Sequence, residues 1–292
     1  MSSPTLYGDI GKEANDLFSK GYGFGNVKVA LTTKADTGIQ FKSSGTHNND
    51  SGRVTGAFET KYVNDSHGIT FTESWNTENV LGTSIALAGP HLPSGAKLAI
   101  DTTFSPSTGR KTAQAKGSYK HQYFAVDGGA DFDYGGPSVF GSAVLGYEGW
   151  LAGYQVCYDT AKGKVSTSNF ALGYKSDDFV LSSFINDGQE FSGSLYHKVN
   201  DDIQVGAKMS WASGSNTTSF GIGARMQFKD STGFSDSPYA SVSVKVNNRA
   251  QIGLGYTHAL REKVKVTLST LIDAKSLNQP GHKLGFGLEA EM

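Results

Sequence analysis

HGITFTESWNT, residues 67 to 77, is the stretch on which the reading of the fold turns. Ile69, Phe71 and Trp75 share one parity, and Thr70, Thr72 and Ser74 share the other. That is the period-two alternation of a strand with one apolar and one polar face. Glu73 breaks the sorting, because it falls in the apolar row. Two readings are open at this stage. A bulge could flip the strand and return the carboxylate to the polar side, or the carboxylate stands in the apolar row, which is costly if that row meets lipid.

The same alternation extends outward along the chain. Val54, Phe58 and Tyr62 alternate with Arg53, Glu59 and Lys61, and Leu98, Ile100 and Phe104 with Lys97 and Asp101. Ile203, Val205, Ala207, Met209 and Trp211 form one row, and Leu284, Phe286 and Leu288 alternate with Lys283 and Glu289. SPSTG (105–109), NDG (186–188) and SGSN (213–216) supply the left-handed or hydrogen-bonding residues of hairpin turns. After residue 25, a repeat of roughly 14 residues gives on the order of 19 antiparallel strands, each long enough for a tilted membrane crossing. Chain residues 1–25 differ. Leu6, Ile10, Ala14, Leu17 and Phe18 follow helical spacing, and GYGFG (21–25) reads as a flexible joint. The chain therefore divides into an amphipathic helix with a Gly-rich hinge, 1–25, and an all-β membrane barrel, 26–292.

Composition agrees. The chain has 37 glycines in 292 residues, well above the roughly 7% of ordinary usage, which favours many strands and tight turns. No run approaches the roughly 20 apolar residues of a membrane helix, so a spanning structure must be a closed barrel. Asp9, Glu13 and Asp16 make the N-terminus unlike a secretory signal or a matrix transit peptide. Cys157 is the sole cysteine, which excludes a disulfide framework within the chain and a cysteine metal cluster. The seven histidines show no ligand spacing, and no Ser/His/Asp set or GxSxG is present, so neither a metal, a cofactor nor an enzyme is expected. The net charge of −1 gives no pull towards nucleic acid.

Distribution carries the charge argument instead. Lys61, Lys97, Lys116 and Lys120 fall opposite the apolar rows, as do Lys28, Lys42, Lys208, Arg225 and Lys245, against fewer acids such as Glu59, Asp101, Asp127 and Asp131. In a pore such a basic wall raises the local anion concentration. In a soluble β-protein the same residues are solvated strand faces.

GYEGWLAGYQ (146–155), KGYGFG (20–25), TFTESWNT (70–77), NDGQEF (186–191), IGLGYT (252–257) and GHKLGFGLE (281–289) together resemble the mitochondrial voltage-dependent anion channels almost from end to end. The resemblance implies a 19-stranded transmembrane β-barrel with a short N-terminal α-helix inside the lumen; this family is the known example of that strand number, so the estimate above is a consistency check. It implies parallel pairing of segments near 26–35 and 281–290. It also implies a voltage-gated, weakly anion-selective channel for ATP, ADP, phosphate and small metabolites in the mitochondrial outer membrane. Lys12 and Lys20 match family lysines proposed to meet nucleotide phosphates. Glu73 matches a lipid-facing regulatory glutamate, with membrane lipids, hexokinase, apoptosis regulators and a second copy of the chain as implied partners.

Two departures limit the transfer. KDSTGFSDSPYA (229–240) is longer than the usual loop, and a family GLK motif reads GAK at 95–97, which leaves Lys97 as a pore charge. The β-barrel of the outer-membrane protein import pore is the alternative function, and GYEGWLAGYQ argues against it. A bacterial porin would need a signal peptide and long outer loops.

Overall fold

The computed structural model describes residues 3–35, 37–133, 135–229, 239–279 and 281–292. The central part of the 229–240 stretch, residues 230–238, lies outside them. Among the described residues, nineteen strands follow a 3-10 turn and one α-helix. They are β1 (Asn26–Lys34), β2 (Ile39–Asn48), β3 (Val54–Asn64), β4 (Ile69–Asn76), β5 (Leu81–Ala88), β6 (Ala96–Ser105), β7 (Arg110–Lys120), β8 (Phe124–Asp133), β9 (Gly136–Tyr147) and β10 (Trp150–Asp159). The series continues with β11 (Lys164–Lys175), β12 (Phe179–Asn186), β13 (Glu190–Lys198), β14 (Ile203–Ala212), β15 (Thr217–Lys229), β16 (Tyr239–Asn247), β17 (Gln251–Arg261), β18 (Val264–Asp273) and β19 (Lys283–Glu291).

Each strand pairs antiparallel with the next, and an odd number leaves the first and last running in the same direction. β1 and β19 close the sheet by parallel pairing, with Val27 opposite Phe286 and Leu31 opposite Ala290. Closure leaves no edge, so every strand's backbone groups find partners without water. No described helix is long and apolar enough to cross a membrane. The crossing belongs to the strands.

The period-two rows settle which face is which. Trp75 is 59% exposed and Leu284 72%, and both lie in the outward rows with Phe58, Ile100, Met209 and Leu268. A surface so rich in exposed large apolar residues requires an apolar surrounding. Glu73 is outward as well. β4 keeps an unbroken register with both neighbours, Glu73 lying opposite Thr60 on β3 and Thr83 on β5. The bulge reading is overturned. Thr60, Glu73, Thr83 and Thr102 instead form a polar line across four adjacent strands of the outer face.

The apolar core lies inside the barrel, against one side of its wall. Tyr7, Ile10, Val144 and Ala171 are buried together, with Leu151 and Phe184 packed on them. The N-terminal segment that makes this contact differs from the single helix expected from the spacing of Leu6 to Phe18. Tyr7–Asp9 form a 3-10 turn, Ile10 is extended, and the α-helix proper, α1, spans Lys12–Ser19. Gly11 makes the break, with φ +69°. A Cβ there would stand 2.4 Å from Ser182 Oγ on β12, so a close approach to the wall requires both glycine and the left-handed backbone.

Candidate functional site

The lumen and the segment docked in it are the candidate site. Every strand from β10 to β19 places a small residue inward where the segment passes: Gly153, Gly173, Ser182, Ser194, Gly206, Gly223, Ser243, Gly255, Ser269 and Gly285. Several are direct cross-strand neighbours, as in Gly173 with Ser182, Ser182 with Ser194, Gly206 with Gly223, and Gly255 with Ser269 and Ser269 with Gly285. The ribbon accepts the segment in order. Gly153 faces Tyr7 and Ile10, Gly206 faces Leu17, Gly223 faces Phe18, and Gly255 and Gly285 face the carbonyls of Gly21 and Gly23. The GYGFG stretch, expected to be a free joint, is therefore packed, and Gly23 N–H donates to Ser269 Oγ at 3.0 Å.

Amphipathic spacing explains the helix's orientation. Ala14 and Leu17 are buried at 0% and 1% exposure against the wall, whereas Lys12 and Lys20 extend into the lumen. Burial of Tyr7, Ile10 and Leu17 contributes about 1.5–3 kcal/mol each. The part-exposed ion pairs around them contribute about 0–1 kcal/mol each, so apolar contact dominates the docking and polar contacts orient it.

Those polar contacts come from the wall. Lys175 Nζ on β11 donates to Glu13 Oε1 at 2.6 Å, Lys208 Nζ on β14 to Asn15 Oδ1 at 2.8 Å, and Lys120 on β7 lies 4.0 Å from Asp9. At the helix C-terminus, where carbonyls lack intrahelical donors, Arg225 on β15 donates to Lys20 O at 2.7 Å and Lys245 on β16 to Phe18 O at 2.6 Å. Both cations also meet the negative end of the helix dipole. Lys245 stands 4.0 Å from the Tyr22 ring centre and 5.1 Å from that of Phe24, within cation–π range. Burial pushes the Tyr7 phenol above its ordinary range.

The expected site residues separate under this geometry. Lys12 is paired with Asp9 at 3.2 Å and Lys20 with Asp16 at 2.7 Å, so each expected phosphate contact carries its own counter-charge one turn away. Lys12 lines a recess of about 770 Å³ between helix and wall, with Asn15, Lys208, Lys245 and Asn247; Lys20 does not. Lys61, Lys97, Lys116 and Lys120 all share the inward rows. Lys116 is paired with Asp101, whereas Lys61 and Lys97 make no ion pair among the described residues. Arg225 and Lys245 entered the sequence reading as wall charges, and their grip on the helix carbonyls was missed. The ribbon of small inward residues was missed too. Its signal was present, because Gly206, Gly223, Gly255 and Gly285 all sit at inward parity. No group of three or more His, Cys, Asp or Glu among the described residues could hold a metal ion.

A closed barrel with an apolar outer face and a charged lumen defines a transmembrane pore. The chain belongs to the eukaryotic porin family, whose model matches residues 3–285. It is 52% identical over 288 residues to a Xenopus laevis protein named "Non-selective voltage-gated ion channel VDAC2", covering 99% of each chain. The Meleagris gallopavo and Homo sapiens proteins of that name are 51% and 50% identical over 291 residues, covering 100% of this chain and 95% and 96% of theirs. A solved mutant of the Rh. blastica porin superposes with a TM-score of 0.47 at 14% identity, covering 84% of this chain and 96% of that one. So distant a likeness carries no argument, and the architecture rests on this chain's own strand register.

Proposed function

We propose that this chain is a voltage-gated channel of the mitochondrial outer membrane that passes ATP, ADP, phosphate and other small metabolites with a weak preference for anions. The observation that carries the reading is the closed barrel with a lysine-rich inward face, in a chain about half identical over its full length to proteins named as voltage-gated ion channels. Those names favour a channel over a protein import pore. They also include "non-selective", so the anion preference is small. It arises from unpaired wall charges such as Lys61 and Lys97 rather than from a dedicated filter. The recess between helix and wall brings Lys12, Lys208 and Lys245 to one side of the lumen beside Asp9, Asp16 and Glu190, so Lys12 meets a phosphate by exchanging its Asp9 partner for it. Lys20 acts through the general field.

Gating requires little charge movement, since each elementary charge crossing the field contributes about 2.3 kcal/mol per 100 mV. Glu73, with Thr60 and Thr83 beside it on the outer face, is the regulatory group. It tunes barrel dynamics, self-association and docking of partners such as hexokinase and apoptosis regulators. The test is a planar bilayer under a KCl gradient. Large steps with an anion-sided reversal potential that fall to substates at higher voltage are expected, and a cation-sided potential would refute the basic-wall account. A Glu73→Gln channel with unchanged gating and unchanged self-association would remove Glu73 from it.

A further inference from the structure

The hairpin between β9 and β10 carries a feature that the pore does not use. Its two turn residues, Glu148 and Gly149, both have positive φ, +48° and +88°, between the paired Tyr147 and Trp150. Such turns favour Asn-Gly or Asp-Gly, because a longer side chain gains nothing locally from the left-handed backbone. This barrel supplies its own contrast: Asp187, also at φ +48°, precedes Gly188 in the turn after β12. A glutamate at 148 is thus more strained than the turn requires, and strain of this kind collects where a side chain has a task.

A cavity of about 260 Å³ opens beside it. Tyr123, Tyr147, Trp150 and Tyr174 contribute aromatic walls, and Glu148 and Asp177 contribute carboxylates. Trp150 and Tyr174 are tilted by 58° with centres 5.0 Å apart, so together they form a corner rather than a flat stack. Lys175 also lines the cavity, but its ammonium is held by Glu13 at 2.6 Å, which leaves the two carboxylates as the uncompensated charges. Tyr147 and Trp150 are 66% and 61% exposed and stand in the outward row at the strand ends. That is the level at which a barrel meets the headgroups of a bilayer.

Aromatic faces plus carboxylates select a cation, and a soft, weakly hydrated one over a primary ammonium that hydrogen-bonds strongly to water. We infer that this rim cavity is a headgroup site for phosphatidylcholine, with the trimethylammonium between Trp150, Tyr174 and the Glu148 carboxylate. The site lies at the barrel rim, where the outward aromatics meet Ser3, Pro4 and Thr5 of the N-terminal segment, and its ligand does not depend on the channel's selectivity.

The test uses the full-length protein in bilayer discs of equal phosphatidylcholine and phosphatidylethanolamine, with the retained lipids counted by native mass spectrometry. Phosphatidylcholine is expected to be enriched roughly fivefold, the scale of one solvent-exposed cation–π contact. Glu148→Gln returns the ratio to that of the bulk bilayer. Glu148→Asn does the same while leaving conductance intact and raising thermal stability, because asparagine suits the left-handed turn. A purely structural glutamate predicts unchanged lipid retention in both variants, which would overturn the proposal. So would equal retention of the two lipids by the unmodified protein. Tetramethylammonium chloride should lower phosphatidylcholine retention; saturable binding of that ion without any lipid preference would refute the lipid as occupant.

Discussion

The wall from β10 to β19 and the wall from β2 to β6 are built from the same alternating strands but use their inward positions differently. On the first, glycine and serine form a ribbon that admits the N-terminal segment, and Lys175, Lys208, Arg225 and Lys245 hold its side chains and carbonyls. On the second, Lys42, Glu59, Lys61, Lys97 and Asp101 face the lumen among small residues such as Ser44, Ser84 and Ala99; the segment touches this side where Asn49 N–H, in the turn after β2, donates to Gly25 O at 2.8 Å, but among the described residues α1 makes no hydrogen bond or ion pair to it. The same residue type therefore does two jobs in one barrel. Lysines on the helix side are bound to the segment, while Lys61 and Lys97 on the other side make no ion pair among the described residues, which is why they are the wall charges proposed to act on a passing ion.

The largest effect should come from the apolar contact. Leu17→Ala removes a side chain that is 1% exposed and faces Gly206, a change of about 2–5 kcal/mol. Hydrogen exchange at the α1 amides should accelerate by roughly 30-fold or more, with the strands unaffected. If the α1 amides keep their protection, the helix is not held by this face. A middle effect is expected for Arg225→Ala, which deprives Lys20 O of its donor and the helix end of a cation, about 1–2 kcal/mol or roughly tenfold in exchange confined to residues 16–20. The smallest is Lys97→Gln. It should leave α1 exchange unchanged and move the reversal potential slightly towards the cation side. A change in α1 protection in that variant would erase the distinction between the two walls.

Much of this was legible in the sequence because a barrel writes its inside and outside into alternate residues. Parity alone put Glu73 in the outward row, and the unbroken pairing with Thr60 and Thr83 leaves it there. Strand number followed from a steady repeat and from the family resemblance. What parity could not carry was the register between neighbouring strands or contact between distant parts of the chain. Gly206 and Gly223 are cross-strand neighbours 17 positions apart, and Gly285 meets Gly23 across nearly the whole chain. The break at Gly11 was hidden for the same reason: the close approach to Ser182 that excludes a Cβ there is a contact with β12, and the helical repeat of apolar residues runs through the position. Lysine at inward parity looks alike whether it holds a helix carbonyl or stands free, so Lys245 and Lys97 could be told apart only by what lies opposite them.

The central claim is that the N-terminal segment is held in the lumen chiefly by apolar packing on the small-residue ribbon, with ion pairs and carbonyl contacts in an orienting role. The direct measurement is hydrogen exchange of the α1 amides in lipid discs, at 0.1 M and at 1 M KCl. Raising the salt shortens the screening length from about 10 Å to about 3 Å and weakens exposed charge contacts while leaving apolar burial in place. Protection of the amides between Lys12 and Ser19 should change by less than about threefold, corresponding to ion pairs worth under 1 kcal/mol. A collapse of that protection in 1 M KCl would contradict the claim and make the wall cations the principal restraint.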